Sequence, residues 1–141
     1  MNKKLQDQLI ERAAEAAKKS YAPYSKFHVG TALLVAGKKC IITGCNVENA
    51  SFGLTICAER AALAAAVSAG HRRFEAIAVA AVEKETVVPC GACLQALAEF
   101  CKPDFQIITG NADSPEGMQI YQLRDLLPLA FRFRKKKLTK Q

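Results

Sequence analysis

Between residues 57 and 109 helix and strand signals alternate, and this alternation constrains the fold more than any single residue does. Cys57 to Ala69 is rich in Ala and Leu and stops at Gly70, the pattern of a helix with a glycine at its C-terminal end. Phe74 to Val82 reads as a buried strand and Glu83 to Val88 as a connection. Pro89, tolerated at a helix start, precedes Cys90 to Cys101, where Leu94, Leu97 and Ala98 suit a second helix. Gln106 to Thr109 is then a short strand. On the N-terminal side, Leu5, Leu9, Ala13, Ala16 and Ala17 recur at helical spacing, so the first twenty residues predict an amphipathic helix. A loop from Ser20 to Lys26 leads into a β-hairpin of Phe27 to Ala36 and Cys40 to Cys45, turning at Gly37-Lys38-Lys39. Asn46 to Thr55 is polar and loop-like; Met118 to Tyr121 gives a further short strand and Leu123 to Leu127 a last helical turn before Pro128. The order α-β-β-α-β-α-β-β-α predicts a layered α/β domain with a mixed sheet covered by helices.

At 141 residues the chain falls within the range of about 100–200 residues for one domain. Its 50% apolar and 23% charged content is that of a globular protein and excludes a disordered or fibrous one. The longest apolar runs, Ala61 to Val67 and Ala76 to Val82, have seven residues each, against roughly 20 for a bilayer span. Asp7, Glu11, Arg12 and Glu15 interrupt the segment after Lys3 and Lys4, so it lacks the apolar stretch of a secretory signal, and a cytoplasmic protein is expected.

The net charge of +7 raises the question of a polyanionic partner. Arg132, Arg134, Lys135, Lys136, Lys137 and Lys140 supply six of the twenty basic residues, which leaves 14 basic and 13 acidic residues in the first 131. A nearly neutral body, residues 1–131, therefore carries a basic tail, residues 132–141. Only Phe131 and Phe133 interleave aromatics with those charges, which argues for a solvated end and against a nucleic-acid-binding arm.

Six cysteines without an export signal point away from a disulfide framework and toward metal or catalysis. Cys90 and Cys93, three apart at a helix start, share one face and can share a metal. Cys57, at the start of the preceding helix, offers a third thiolate. Both helix N-termini favour thiolate over thiol through free N–H groups and the positive dipole end. Three protein ligands with an open fourth position are the mark of a catalytic zinc site, where zinc lowers the pKa of water from about 15.7 toward about 7. Glu59, two residues past Cys57, flanks such a metal and suits proton transfer. Arg60 can donate to the sulfurs and offset the excess charge of three thiolates. Cys40, Cys45 and Cys101 read as buried apolar cysteines.

Cys57-Ala58-Glu59-Arg60 followed by Pro89-Cys90-Gly91-Ala92-Cys93 resembles the short, homotetrameric cytidine deaminases of the cytidine and deoxycytidylate deaminase family, whose zinc signature has a three-cysteine variant. The resemblance runs from about Ala17 to Phe131. It includes Tyr21-Ala22-Pro23-Tyr24-Ser25-Lys26-Phe27, Val29-Gly30, the stretch Gly44 to Ser51, and Leu126-Leu127-Pro128-Leu129-Ala130-Phe131. It implies a three-layer α/β/α fold with a mixed five-stranded sheet. It further implies Zn²⁺ held by Cys57, Cys90 and Cys93, with Glu59 as the proton shuttle. By the same resemblance Asn46 and Glu48 bind the ribose hydroxyls, Phe27 stacks on the pyrimidine, Ala58 contributes to substrate binding, and Phe131 reaches a neighbouring subunit's site in a homotetramer. The implied reaction is hydrolytic deamination of cytidine and 2′-deoxycytidine in pyrimidine salvage.

One position departs from the pattern. Leu94 stands where family members often have Arg after the second CxxC cysteine. That keeps open a modified cytosine nucleoside or a blasticidin-type antibiotic as substrate. A third reading, nucleic-acid binding or RNA editing, would use the basic tail.

Overall fold

The computed structural model describes residues 1–82, 87–111 and 113–133. Helix α1 (Lys3–Ala17) starts where Asn2 accepts the Leu5 N–H at 2.9 Å, and it buries Leu9, Ile10, Ala13, Ala14, Ala16 and Ala17 along one face. It ends three residues short of the predicted twenty. Strand β1 (Val29–Val35) turns into β2 (Ile41–Cys45), followed by α2 (Ala58–Ser68), β3 (Phe74–Ala81), α3 (Gly91–Phe100), β4 (Gln106–Asn111), β5 (Gln119–Gln122) and the short α4 (Leu123–Leu126). Short 3-10 turns lie at Phe52–Leu54 and Pro115–Gly117.

The five strands form one sheet in the order β2-β1-β3-β4-β5. Only β3 and β4 run parallel, joined through α3; the other neighbours are antiparallel, so the sheet is mixed as expected. Side chains alternate between its faces. Ala32, Leu34, Ala76, Ala78, Ala80 and Ile108 pack against α1. Leu33, Val35, Ile77 and Ile107 face the other way and pack with Ala62, Leu63 and Ala66 of α2 and Leu94, Leu97 and Ala98 of α3. β3 is covered on both faces, which is why its sequence is continuously apolar and shows no alternation. The result is the three-layer α/β/α architecture.

Several boundaries differ from the sequence-based reading for identifiable reasons. Phe27 and His28 precede β1, so Phe27 belongs to a loop. β4 extends to Asn111 because Gly110 and Asn111 pair with Ala80 and Ala81, a partnership that a single strand's pattern does not carry. Cys45, on the edge strand β2, and Cys40, just before that strand, are only half-buried; Cys101 is buried, and burial pushes its thiol up to about 12 against a smaller opposing effect of Arg132. α2 stops as predicted, with the Gly70 N–H on Val67 O and the His71 N–H on Ala66 O.

Arg132, first residue of the predicted tail, donates to Ala98 O at 2.8 Å and so ties this end to the last turn of α3. The rest of the basic stretch, from residue 134 onward, and residues 83–86 of the predicted connection lie outside the described residues. No helix among the described residues is long and apolar enough to cross a membrane.

Candidate active site

The N-terminal ends of α2 and α3 meet on one side of the sheet, and the three predicted metal ligands stand there. Cys57 is the N-cap of α2 and Cys90 the N-cap of α3, both with extended backbone, and Cys93 lies in the first turn of α3. Two β-strand residues fix this end of α2. The Thr31 hydroxyl donates to Ala58 O at 2.9 Å, and Gly44 lets the helix backbone lie directly on β2. A Cβ at Gly44 would stand 2.5 Å from Ala62 N and 2.7 Å from Ala58 O.

The sulfurs of Cys57, Cys90 and Cys93 all lie within 4.8 Å of one another. Tetrahedral zinc with Zn–S bonds of about 2.3 Å places sulfurs roughly 3.8 Å apart, so the cluster fits with side-chain adjustment alone. The donor set fits too: three soft thiolates at two positive helix ends, with a fourth position left for water. Cys93 is buried, Cys57 half-buried and Cys90 exposed, which opens the cluster toward solvent on one side. Burial, then the nearby charge of Glu59, raises the pKa of Cys93. For Cys90 burial acts in the same direction, but hydrogen bonds from the Cys93 and Ala92 backbone and from the Cys93 and Cys57 thiols bring it below its ordinary value.

Glu59 is 4% exposed, and its Oε2 accepts from Cys93 Sγ at 3.7 Å. Burial is the main cause of its raised pKa, opposed by its own backbone N–H, by Cys93 and by the charge of Arg60. Arg60 Nη2 donates to Cys57 Sγ at 3.7 Å, while its Nε is buried without a hydrogen-bond partner. Phe27 packs against the small apolar cluster of Val29, Ala58, Val79 and Ala81, which includes the first residue of α2.

Asn46 and Glu48 hold the loop that carries Phe27. Asn46, 8% exposed, accepts from the Ser20 hydroxyl and from the Val29 N–H at 2.9 Å, and donates to Phe27 O at 2.8 Å. Glu48 Oε1 accepts the Tyr24 and Ser25 N–H groups at 2.9 and 3.1 Å, and Oε2 accepts the Ser25 hydroxyl. These bonds, the Ser25 hydroxyl first, outweigh desolvation and lower the pKa of Glu48. A cavity of about 250 Å³ lined by Tyr24, Ser25, Glu48, Phe52 and Thr55 adjoins this loop. A wider cleft of about 670 Å³ lies at the opposite end of the sheet, between the start of α1 and the β1–β2 turn, away from the thiols. Phe131 is not gathered into the cluster: it is 72% exposed, its carbonyl held by Gln95 Nε2 at 2.8 Å.

Residues 3–109 match the family described as the cytidine and deoxycytidylate deaminase zinc-binding region. The chain belongs to the cytidine and deoxycytidylate deaminase family. It is 48% identical over 123 residues to a cytidine deaminase of Halalkalibacterium halodurans, covering 87% of this chain and 91% of that one. Its fold matches the crystal structure of cytidine deaminase from Burkholderia pseudomallei with a TM-score of 0.82 and 44% identity, over 93% of this chain and all of that one. The Mycobacterium tuberculosis cytidine deaminase structure matches with a TM-score of 0.78 and 41% identity, over 90% and 97% of the two chains.

Within this member of the deaminase family, the positions that the sequence did not flag are those acting through others. Thr31 and Gly44 set α2, Ser20 and Ser25 bind Asn46 and Glu48, and Gln95 and Arg132 hold the C-terminal segment on α3. A glycine inside a strand, as at Gly44, is the signal that could have found one of them, because it marks a close backbone approach. Leu94, the departure from the family pattern, is buried in the core formed by α2, α3 and the sheet.

Proposed function

We propose that the chain catalyses hydrolytic deamination of cytidine and 2′-deoxycytidine to uridine and 2′-deoxyuridine with release of ammonia, using one zinc ion held by Cys57, Cys90 and Cys93. The observation that carries this reading is the convergence of three cysteine sulfurs, all within 4.8 Å, beside the buried carboxylate of Glu59. Zinc at such a site supplies Lewis acidity, which makes water a nucleophile near neutral pH. Glu59 Oε2 carries the two protons of the attacking water in turn, one to ring N3 and one to the 4-amino nitrogen, which leaves as ammonia while the oxygen stays on C4 as the carbonyl. A carboxyl with a raised pKa is suited to carrying those protons at neutral pH. Arg60, donating to Cys57, draws charge from the thiolates.

Phe27 stacks on the pyrimidine, with Ala58 beside it at the start of α2. Asn46 keeps one of its two N–H donors, and Glu48 one of about four acceptor sites, after their loop bonds are counted. One donor beside one acceptor suits a sugar hydroxyl. Residues 1–131 form the catalytic domain and 132–141 a basic tail, in a cytoplasmic enzyme of pyrimidine salvage. The assembly is a homotetramer in which Phe131 serves a neighbouring site; the exposed Leu129, Phe131 and Phe133, at 93%, 72% and 81%, support an interface there. Light scattering coupled to gel filtration should give four times the chain mass, and a monomer would remove that role from Phe131.

The deciding experiment replaces Glu59 by Gln. Zinc should remain at one per chain, while the absorbance change from cytidine to uridine falls by at least about 10²–10⁴-fold. A fully active Glu59→Gln protein would sink the mechanism. Running N4-modified cytidines and blasticidin S beside cytidine tests the alternative that rests on Leu94. Its burial in the core favours ordinary nucleosides, because a residue packed between helices does not reshape the substrate pocket.

A further inference from the structure

Ser25 joins the two substrate-facing groups of the loop. Its hydroxyl accepts the Phe27 N–H at 3.0 Å and donates to Glu48 Oε2 at 2.5 Å. The direction of this relay is fixed, because a backbone N–H only donates and a carboxylate only accepts. Lys26, between Ser25 and Phe27, has φ of 58°, the left-handed region that a non-glycine residue rarely occupies. Its own N–H is bonded to Ala22 O at 3.0 Å. The turn that aims Phe27 therefore runs through a backbone state that needs neighbouring bonds to hold it.

We propose that Ser25 is a positioning residue for substrate binding, fixing the Glu48 carboxylate and the Phe27 backbone relative to each other. The inference rests on the reading of Glu48 as a sugar ligand and Phe27 as the base platform. The terminal torsion of a glutamate is broad, so a half-buried carboxylate without a side-chain partner turns away from any one direction. Two backbone N–H groups hold Glu48 Oε1, and the Ser25 hydroxyl fixes Oε2, the oxygen with the remaining acceptor site. The same hydroxyl holds the backbone N–H of Phe27, whose side chain packs on the apolar cluster that includes Ala58. Ser25 touches neither the thiols nor Glu59, so its contribution falls on binding and not on the chemical step.

Steady-state kinetics on the zinc-loaded full chain with cytidine tests this. Ser25→Ala should raise KM roughly tenfold, the scale of one charge-assisted hydrogen bond, with kcat within about twofold of the parent. Ser25→Thr, which keeps the hydroxyl, should restore KM to near the parent value. In the Glu48→Gln background, adding Ser25→Ala should change KM much less than it does alone, because the two residues act as a unit. Calorimetric titration of cytidine into Glu59→Gln proteins with and without Ser25→Ala should give the same weakening in Kd. The proposal is overturned if Ser25→Ala leaves KM and Kd unchanged, lowers kcat as much as kcat/KM, or is fully additive with Glu48→Gln. If Glu48→Gln by itself leaves KM unchanged, the sugar-ligand reading fails instead.

Discussion

Cys57, Cys90 and Cys93 are held by the ends of two regular helices, whereas Phe27, Asn46 and Glu48 are held by hydrogen bonds between residues 17 to 26 positions apart. The first region owes its geometry to burial: Ala62, Leu63 and Ala66 of α2 and Leu97 and Ala98 of α3 lie in one apolar core under the cluster. The second owes its geometry to donors and acceptors that water can partly reach. Damage to the helix ends should therefore appear in metal content and turnover. Damage to the loop should appear in substrate affinity, with the chemical step preserved.

The largest effect expected from breaking this contrast is at Cys90, the exposed member of the thiol cluster. Cys90→Ala should lose zinc and turnover together while far-UV circular dichroism stays that of the parent; zinc retained at one per chain would show that Cys90 is not a ligand. Gly44→Val comes next. Its side chain would collide with helix backbone, not with a flexible side-chain end, so destabilisation of about 3 kcal/mol or more is expected in a denaturant melt. Gly53→Ala in the loop region meets nothing within 4 Å and should leave the melt within about 0.5 kcal/mol of the parent, so equal losses at the two glycines would erase the contrast. Asn46→Ala should have the smallest stability effect of the damaging changes, about 2 kcal/mol, because it leaves Phe27 O and Val29 N without their buried partner. It should also raise KM for cytidine with little change in kcat; a fall in kcat with KM unchanged would join the loop to the chemical step.

The thiol cluster was legible because each of its parts has a local signature. Cysteines three apart at a helix start, a third at another helix start and an acid two residues on are all readable along the chain. The sheet was legible in the same way, through apolar runs and turn residues. The loop was not. Asn46 and Glu48 stand out as polar loop residues suited to a diol, and by resemblance, but nothing in the run of residues 20–29 announces that Ser20 and Ser25 point back to them. Phe27, read as the first residue of a strand, lies in the loop because Asn46 and Ser25 bond its carbonyl and its N–H. Arg132, counted with a solvated tail, reaches the end of α3, since a helix C-terminus carries unsatisfied carbonyls that a guanidinium satisfies.

The alternation of helix and strand between residues 57 and 109 by itself determined the layered α/β class, and cysteine spacing at two helix starts singled out Cys57, Cys90 and Cys93 as candidates to share a metal. Periodicity and helix-end chemistry are local properties, and a chain carries them before it folds. Only the tertiary structure decided that the sulfurs lie within 4.8 Å, that Glu59 is buried beside Cys93, and that Asn46 makes three hydrogen bonds, with Ser20, Phe27 and Val29. Those outcomes depend on strand order, on the parallel pairing of β3 with β4, and on α2 settling directly onto Gly44. Each is a contact between segments distant in sequence, and one segment's pattern holds no information about the partner that it meets.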